Sequence, residues 1–155
     1  MFLRPSLFVY STGFPLPPPI IKTTSNLVDA FVVAYSTAGA AQWCNTLTKT
    51  STDITNVNYG YGITGTTAVG SYLSRPLVIG GLTSNKELTN SGIADSYIVR
   101  YTSTGEIDWR TRIAGTLAEA ATGVAQTTGG MYVVGLYSGN PDIFDVISAV
   151  LNMIR

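Results

Sequence analysis

Apolar and polar residues alternate with a period of two along residues 95–101, a pattern that predicts a β-strand with two different faces. One face carries Tyr97, Val99 and Tyr101, and the other carries Ile98 and Arg100. Residues 106–114 predict a second strand. Its apolar side is made of Ile107, Trp109, Thr111 and Ile113, and its charged side of Asp108, Arg110 and Arg112. Residues 102–105 (Thr-Ser-Thr-Gly) predict the tight turn between the two strands, because glycine adopts the positive φ that such turns require.

Two further strands are predicted downstream of this pair. Residues 120–126 are a short run of small residues, and residues 131–137 are strongly apolar and rich in β-formers. Residues 127–130 (Thr-Thr-Gly-Gly) between them predict a second turn. The pattern therefore indicates an all-β chain.

The same pattern occurs earlier in the chain, at an offset of 66 residues. Residues 29–43 match residues 95–109 without a gap. Five positions are identical. Besides Val33 and Val99, the identical residues that define the repeat are Asp29, Tyr35, Gly39 and Trp43 in the first copy and Asp95, Tyr101, Gly105 and Trp109 in the second. After this stretch, residues 58–63, 64–67 and 69–72 predict a strand, a turn and a strand that match the end of the second copy. A chain made of copies of one supersecondary unit is a repeat protein.

The two copies divide the chain into four segments. Residues 1–28 hold a partial unit and a proline-rich linker, residues 29–94 the first repeat, and residues 95–141 the second repeat. Residues 142–155 form an apolar tail or the start of a further unit. With about two full units and two partial ones, the chain is predicted to be incomplete as a stack of repeats.

Both ends of the chain are candidates for contact with partner proteins. Pro15, Pro17, Pro18 and Pro19 form a stiff, donor-poor stretch that favours a spacer or a docking strip over a central strand. In the tail, one helical face would carry Phe144, Ile147, Leu151 and Ile154. The tail is equally compatible with a strand, in which Asp142 stands where Asp29 and Asp95 stand.

The order of these elements resembles the SBBP repeats, a β-propeller family. The resemblance rests on Asp–aromatic–Val–x–Tyr, a glycine turn, Trp, a Gly-Val or Gly-Ile pair, a second glycine turn and a Val-Gly-x-Tyr strand, and it covers residues 8–139. It implies four-stranded antiparallel blades that do not close a ring on their own, since a closed propeller has about 4–8 blades. The 66-residue interval exceeds the ~40–50 residues usual for a blade. We expect the surplus in extended loops at residues 48–58 and 80–94.

Composition excludes several functional classes. Nine basic and nine acidic side chains give a net charge of zero, which argues against nucleic acid and against a polybasic membrane-surface role. No apolar run is long enough to span a bilayer. Charged residues make up only 12% of the chain, and a surface with so few charges is poorly protected against association. Much of the surface is therefore expected to be covered by neighbouring proteins.

Candidate catalytic groups are few. The chain has no histidine, which removes Ser-His-Asp and Cys-His catalysis and the commonest transition-metal ligand. Cys44 is the only cysteine and is interpreted as a strand residue. Asp29 and Asp95 fall in successive units, so we interpret them as structural carboxylates at strand starts. We expect no catalytic, cofactor or metal site.

Aromatic side chains leave a second functional class open. Trp43 and Trp109 are interpreted as core residues because they occupy equivalent positions in alternating strands. The aromatics that remain as candidates for stacking on a ligand are Tyr59, Tyr61, Tyr72 and Tyr137.

Our leading hypothesis is a non-enzymatic structural or interaction subunit of a larger assembly, such as a minor or cement component of a capsid-like shell or surface layer. A virion or a cell surface is the favoured location, and no convincing signal peptide is present. One alternative is an oligomeric carbohydrate- or ligand-binding propeller, and only this hypothesis includes a glycan partner. The other is a fragment of a longer surface or secreted propeller protein.

Overall fold

The structure, a computed structural model, describes residues 28–49, 57–140, 142–143 and 147–148. These residues form β-strands and turns without a helix, which confirms the all-β prediction. The strands are β1 (Ala30–Tyr35), β2 (Ala41–Lys49), β3 (Asn58–Thr64), β4 (Thr67–Tyr72), β5 (Leu77–Ile79), β6 (Lys86–Leu88), β7 (Asp95–Tyr101), β8 (Ile107–Ala114), β9 (Glu119–Thr127), β10 (Gly130–Tyr137), β11 (Asp142–Ile143) and β12 (Ile147–Ser148).

The strands form three antiparallel sheets, and none of the three closes on itself. The first sheet has the order β1-β2-β5-β6. The second has the order β3-β4-β7-β8, and β11 and β12 pair with the outer side of β8. The third sheet is the hairpin of β9 and β10.

The three sheets pack face to face in the order first, second, third, with one apolar core at each interface. The first core joins side chains such as Trp43 and Leu47 of the first sheet to Tyr97, Val99 and Tyr101 of β7. The second core lies on the other face of the second sheet. Its members are Val69, Ile98 and Ala121, with Trp109, Ile113, Val124, Met131 and Val133 packed against them. The predicted division of β7 into two faces is therefore confirmed.

One predicted face in β8 is wrong. We expected Ile107 on the same side as Trp109 and Ile113, but Ile107 packs against the first core and the other two pack against the second. The cause is a β-bulge: Arg100 pairs with Trp109, but Tyr101 pairs with Ile107, so one residue of β8 is left over. An extra residue reverses the side-chain alternation beyond it.

The expectation of a plain loop at residues 80–94 is also wrong in part. This segment contains β6, which pairs with β5 and widens the first sheet. The strands of the first repeat are moreover divided between two sheets. The hairpin β1–β2 joins the first sheet through the pairing of β2 with β5, and the hairpin β3–β4 joins the second sheet through the pairing of β4 with β7. A four-stranded sheet therefore forms from the second half of one repeat and the first half of the next.

The repeat itself is visible in the backbone. Hairpins β1–β2 and β7–β8 both carry a bulge after the residue opposite the repeat tryptophan, between Ala34 and Tyr35 and between Arg100 and Tyr101. Hairpins β3–β4 and β9–β10 also carry bulges at matching places, next to Gly70 and next to Gly135. Shared bulges fix the structural equivalence of the two copies, including the region where their loops differ in length.

Candidate functional site

The repeat tryptophan of the first copy holds the turn of the second. Trp43 is buried, and its Nε1 donates a hydrogen bond to the Ser103 carbonyl at 3.0 Å. Gly105, with φ of +90°, lies in contact with the Trp43 indole, and a Cβ at this position would be 2.7 Å from the ring. The neighbouring Asn45 amide donates to the Gly105 carbonyl at 2.7 Å. The turn of one repeat is therefore bound by the preceding repeat.

The equivalent groups at the two ends of the stack are unmatched in the described part of the chain. Gly39 has the same left-handed conformation, with φ of +80°, and no atom lies within 4 Å of the position of its Cβ. Trp109 is partly buried and lines a groove of about 340 Å³ with Thr67, Arg100 and the β9–β10 turn. Among the described residues, the first repeat thus has a turn, at Gly39, that contacts no tryptophan. The second repeat has a tryptophan, Trp109, that borders a groove and contacts no turn of a following repeat in the part of the chain that the structure describes.

Other equivalent positions show the same contrast in exposure. Tyr97 is 1% exposed, but its counterpart Phe31 is 67% exposed. Val69 is fully buried, while Val134 at the matching position of β10 is 66% exposed. The described residues therefore present two apolar surfaces, one on β1 and one on β10. The β1 surface consists of Phe31, Val33 and Tyr35, and the β10 surface of Tyr132, Val134, Leu136 and Tyr137.

A buried polar group, which we call the Asp95 cluster, lies where β4, β7 and β9 begin or end. It consists of Asp95, Arg112, Tyr72 and Glu119. Arg112 Nη1 lies 2.8 Å from Asp95 Oδ2 in a salt bridge, and the Tyr72 hydroxyl lies 3.5 Å from the same oxygen. The backbone N–H of Ser91 also donates to Oδ2, at 2.9 Å. Asp95 Oδ1 is buried and has no hydrogen-bond partner.

Glu119 completes the cluster with a second buried carboxyl. Both of its oxygens are buried without a hydrogen-bond partner. Burial and, to a smaller extent, the charge of Asp95 raise the pKa of Glu119. The nearby Gly115 backbone N–H opposes this rise, although its geometry does not meet that of a hydrogen bond. The shared bulges place Glu119 at the position of Asn58, since Glu119 pairs with Tyr137 and Asn58 with Tyr72.

In the first copy this position is fully satisfied. The Asn58 amide nitrogen donates to Asp29 Oδ1 at 3.1 Å, and Asn58 Oδ1 accepts from the Ser74 hydroxyl at 2.5 Å. In the second copy a carboxyl replaces the amide opposite the aspartate. A protonated Glu119 has the donor that Asn58 has, which explains why the raised pKa suits this site.

Both carboxyl side chains of the Asp95 cluster are shielded from solvent. The side chain of Asp95 is fully buried and Glu119 is 1% exposed. A catalytic carboxyl must reach the proton that it transfers, directly or through one water. Sequence reasoning identified Asp95 but missed Glu119, because the alignment of the two copies after Trp43 needs the bulges, which only the structure shows.

The predicted end contacts lie largely outside the described residues. This applies to Pro15, Pro17, Pro18, Pro19, Phe144, Leu151 and Ile154. The backbone of Ile147 belongs to β12 and pairs with Arg110 of β8. The interface role of these residues stays a prediction.

Among the candidate ligand-stacking tyrosines, Tyr72 is fully buried and is therefore removed from the set. Tyr59 and Tyr61 are exposed on β3, and their rings stack with centroids 5.8 Å apart and an interplanar angle of 10°. Tyr137 is exposed on β10.

In the part of the chain that the structure describes, no three His, Cys, Asp or Glu side chains are grouped so as to hold a metal ion. The same residues include no helix with the length and apolar character needed to cross a membrane. Comparison of the chain with family models, curated proteins and solved structures found no match.

Proposed function

We propose that the chain is a non-catalytic structural and interaction subunit of a larger protein assembly. The observation that carries this proposal is the pair of apolar surfaces on β1 and β10, each beside a strand edge without a partner among the described strands. An open strand edge is a template for pairing with another chain, and monomeric proteins normally block it. Exposed apolar surface next to such an edge indicates a binding surface.

A propeller-type arrangement of the sheets is part of the proposal. It is supported by the antiparallel order β3-β4-β7-β8, in which four strands adjacent in space follow each other in the chain apart from the inserted β5–β6 hairpin. It is also supported by the face-to-face packing of three sheets with one core at each interface. Propellers are built from four-stranded antiparallel sheets arranged around an axis.

The non-catalytic part of the proposal is supported by side-chain chemistry. The sequence contains no histidine, and the two carboxyls that lie near each other, Asp95 and Glu119, are both buried inside the stack. A capsid-like shell or a surface layer suits a chain with only 12% charged residues, because its subunits cover most of one another's surface.

The proposal is tested on the native source by fractionating particles and locating the chain with an antibody, followed by low-resolution imaging of the fraction that contains it. We expect the chain in a multi-subunit particle. Recovery of the chain only as a free monomer would refute the proposed function.

A second candidate function is glycan binding at Tyr59 and Tyr61. The observation that favours it is the exposed stacked pair, which borders a cavity of about 360 Å³ lined by Phe31, Tyr61 and Ile63. Aromatic faces bind the apolar faces of sugar rings. A glycan array with the wild-type chain and a Tyr61→Ala variant tests this; binding that Tyr61→Ala abolishes supports it, and an array without a positive signal removes it.

A further inference from the structure

We propose that the open edge of β10 binds strand β1 of a second copy of this chain, in the register that β4 and β7 adopt within one copy. The inference rests on the proposed function and names the partner at one interface. It predicts head-to-tail self-association in which the two contacting surfaces are different.

The first argument is that β10 is a copy of β4. Both strands end a hairpin with a bulge at the same place: Gly60 pairs with Gly70 and the next pair is Gly62 with Val69, while Ala121 pairs with Gly135 and the next pair is Gly123 with Val134. In each case one residue of the first strand is left over. On its other side β4 pairs with β7, whereas the structure gives β10 no strand partner other than β9 among the described residues.

The second argument is that β1 is a copy of β7 and has the complementary open edge. Both strands begin after or at the repeat aspartate and carry the same bulge opposite their partner strands. Within the described residues β1 pairs only with β2. Each chain therefore offers both halves of a β4–β7 junction, one at each end of its stack.

The internal junction fixes the register of the proposed one. Strands β4 and β7 pair Gly70 with Tyr97 and Tyr72 with Asp95. Transferred to the equivalent residues, this register places Gly135 opposite Phe31 of the second copy. The complete set of transferred pairs is Tyr132 with Ala34, Val133 with Val33, Val134 with Val32, Gly135 with Phe31, Leu136 with Ala30 and Tyr137 with Asp29.

The glycine in this register has a steric purpose. At Gly70 a Cβ would collide with the Tyr59 carbonyl and lie 2.6 Å from the Tyr97 hydroxyl oxygen, so the tyrosine ring occupies the space left by the missing side chain. Gly135 leaves the same space on β10, and Phe31 of the second copy carries the aromatic ring to fill it. An aromatic residue opposite a strand glycine is a known device for stabilising sheets.

Face by face, the proposed sheet is consistent. Val133 packs against the second core of its own chain, and the alternation of β10 turns Val134 to the opposite side. In the joined sheet Val134 stands beside Val32 of the second copy, which faces the first core of that copy. Phe31 of the second copy then faces the second sheet of the first copy, just as Tyr97 faces the first sheet within one chain. Both exposed apolar surfaces are buried by one contact.

The proposed junction also brings the repeat tryptophan of one copy into contact with the β1–β2 turn of the other. Within a chain Trp43 holds Gly105, and the equivalent pair across the proposed junction is Trp109 with Gly39 of the second copy. The groove of about 340 Å³ beside Trp109 and the open space around Gly39 are the two halves of this contact.

Segments of the same chain are the competing occupants of these edges. The partial unit at residues 8–16 is the natural rival for β1, but the residues of its apolar strand, Leu7-Phe-Val-Tyr10, contain no glycine to face Phe31. The tail is the rival for β10, but its described strands β11 and β12 pair with β8. The second copy is therefore the occupant that best reproduces the internal junction.

Complementation between two surface variants tests the proposal on the full chain. Phe31→Glu and Val134→Glu change exposed side chains at opposite ends of the stack, so each variant keeps its fold and loses one half of the junction. We expect each alone to associate at least about tenfold more weakly than wild type, because a buried apolar side chain is replaced by a charge. Leu82→Glu is the matched control, since Leu82 is 59% exposed and lies in the turn between β5 and β6, on neither of the two edge strands.

The decisive sample is the mixture of the two variants. The Phe31→Glu copy keeps its β10 edge and the Val134→Glu copy keeps its β1 edge, so the mixture forms one junction and sediments as a heterodimer. Wild type and Leu82→Glu form larger species, because a contact between two different surfaces continues until a ring closes or a chain grows. A mixture that remains monomeric while wild type associates would overturn the proposed contact.

A disulfide tests the register. In a Cys44→Ser background, copies with Ala34→Cys and copies with Tyr132→Cys are mixed under oxidation, and we expect an intermolecular disulfide. Phe31→Cys mixed with Tyr132→Cys is the control, because three residues of strand separate those positions by roughly 10 Å, beyond the ~7 Å limit between bridged Cα atoms. If Ala34→Cys pairs instead with a cysteine introduced at Ser6 of the same chain, which stands where Thr67 stands when Pro15 is aligned with Pro76, the N-terminal segment occupies β1 and the proposal is wrong.

These outcomes separate the two proposals. A chain that is part of a native particle but monomeric when purified, or that assembles equally well with Phe31→Glu and Val134→Glu, refutes self-association through β1 and β10 and leaves the proposed function standing. A chain that is monomeric both when purified and in its native source refutes both.

Discussion

Replacing Glu119 by glutamine should stabilise the protein at neutral and alkaline pH. Glu119 is 1% exposed, neither of its oxygens has a hydrogen-bond partner, and the unpaired Asp95 Oδ1 belongs to the same cluster. Glutamine keeps the shape of the side chain and supplies an N–H donor without titrating. It would reproduce in the second copy the contact that Asn58 makes to Asp29 at 3.1 Å in the first.

The size of the effect follows from the unsatisfied groups. A buried polar group without a partner costs about 1–3 kcal/mol, and more when it is charged. For a chain of 155 residues, a change of 1 kcal/mol in the free energy of unfolding shifts the Tm by about 2–4 °C. We therefore expect Glu119→Gln to raise the Tm by roughly 2–12 °C at pH 8.

The pH dependence gives the prediction its sign. Burial and the Asp95 charge raise the pKa of Glu119 in the folded protein above its ordinary value of 4.5. The folded state thus holds this proton more tightly than the unfolded state. The contribution of Glu119 to stability is fully present below the unfolded-state pKa and is lost as the pH rises through the folded-state pKa. The advantage of the glutamine variant is accordingly smallest near pH 4 and grows toward pH 8.

Thermal unfolding followed by circular dichroism from pH 4 to pH 8 measures the difference. Glu87→Gln is the matched control, because it removes the same charge from an exposed side chain of β6. Its Tm should stay within about 2 °C of wild type at every pH. The reasoning is refuted if Glu119→Gln is less stable than wild type at pH 8, or if the difference in Tm does not change with pH.

Two further substitutions test the junction between repeats. Arg112→Met should lower the free energy of unfolding by about 3–5 kcal/mol, since it leaves the buried Asp95 carboxylate without its cation. Arg100→Met, at an exposed ion pair, should cost less than about 1 kcal/mol. Urea unfolding measures both variants, and equal losses would contradict a stabilising role for the Asp95–Arg112 salt bridge. Gly105→Ala should cost about 1–3 kcal/mol more than Gly39→Ala, because both have positive φ but only Gly105 would place a Cβ 2.7 Å from Trp43; equal Tm values for the two would show that Trp43 does not hold the turn.

Local patterns predicted the strands of the second copy well because each depends on near neighbours in sequence. The alternation along β7 predicts two faces with different side chains. In the structure each face packs against a different core, as the pattern predicts. The glycines at the turns before β2 and β8 were found for the same reason, since positive φ at Gly39 and Gly105 is a local requirement.

Pairing between distant strands could not be predicted in the same way. Nothing in the alternation of β3 and β4 states whether their partner is β2 or β7, because either neighbour satisfies the same half-buried pattern. The face of Ile107 was missed because a bulge shifts the alternation by one residue without a sequence signal that is specific for it. Glu119 was missed since its role appears only when it is compared with Asn58, its structural equivalent.

The division of each repeat between two sheets has a consequence for how the chain unfolds. If heat or denaturant unfolded the first repeat alone, the second sheet would lose strands β3 and β4, and the turn at Gly105 would lose its contact with Trp43. Repeat proteins whose units are self-contained can melt unit by unit from the ends. Here the boundary between the two repeats lies inside the second sheet, where β4 pairs with β7, so the described repeats should gain and lose structure together, in a single transition.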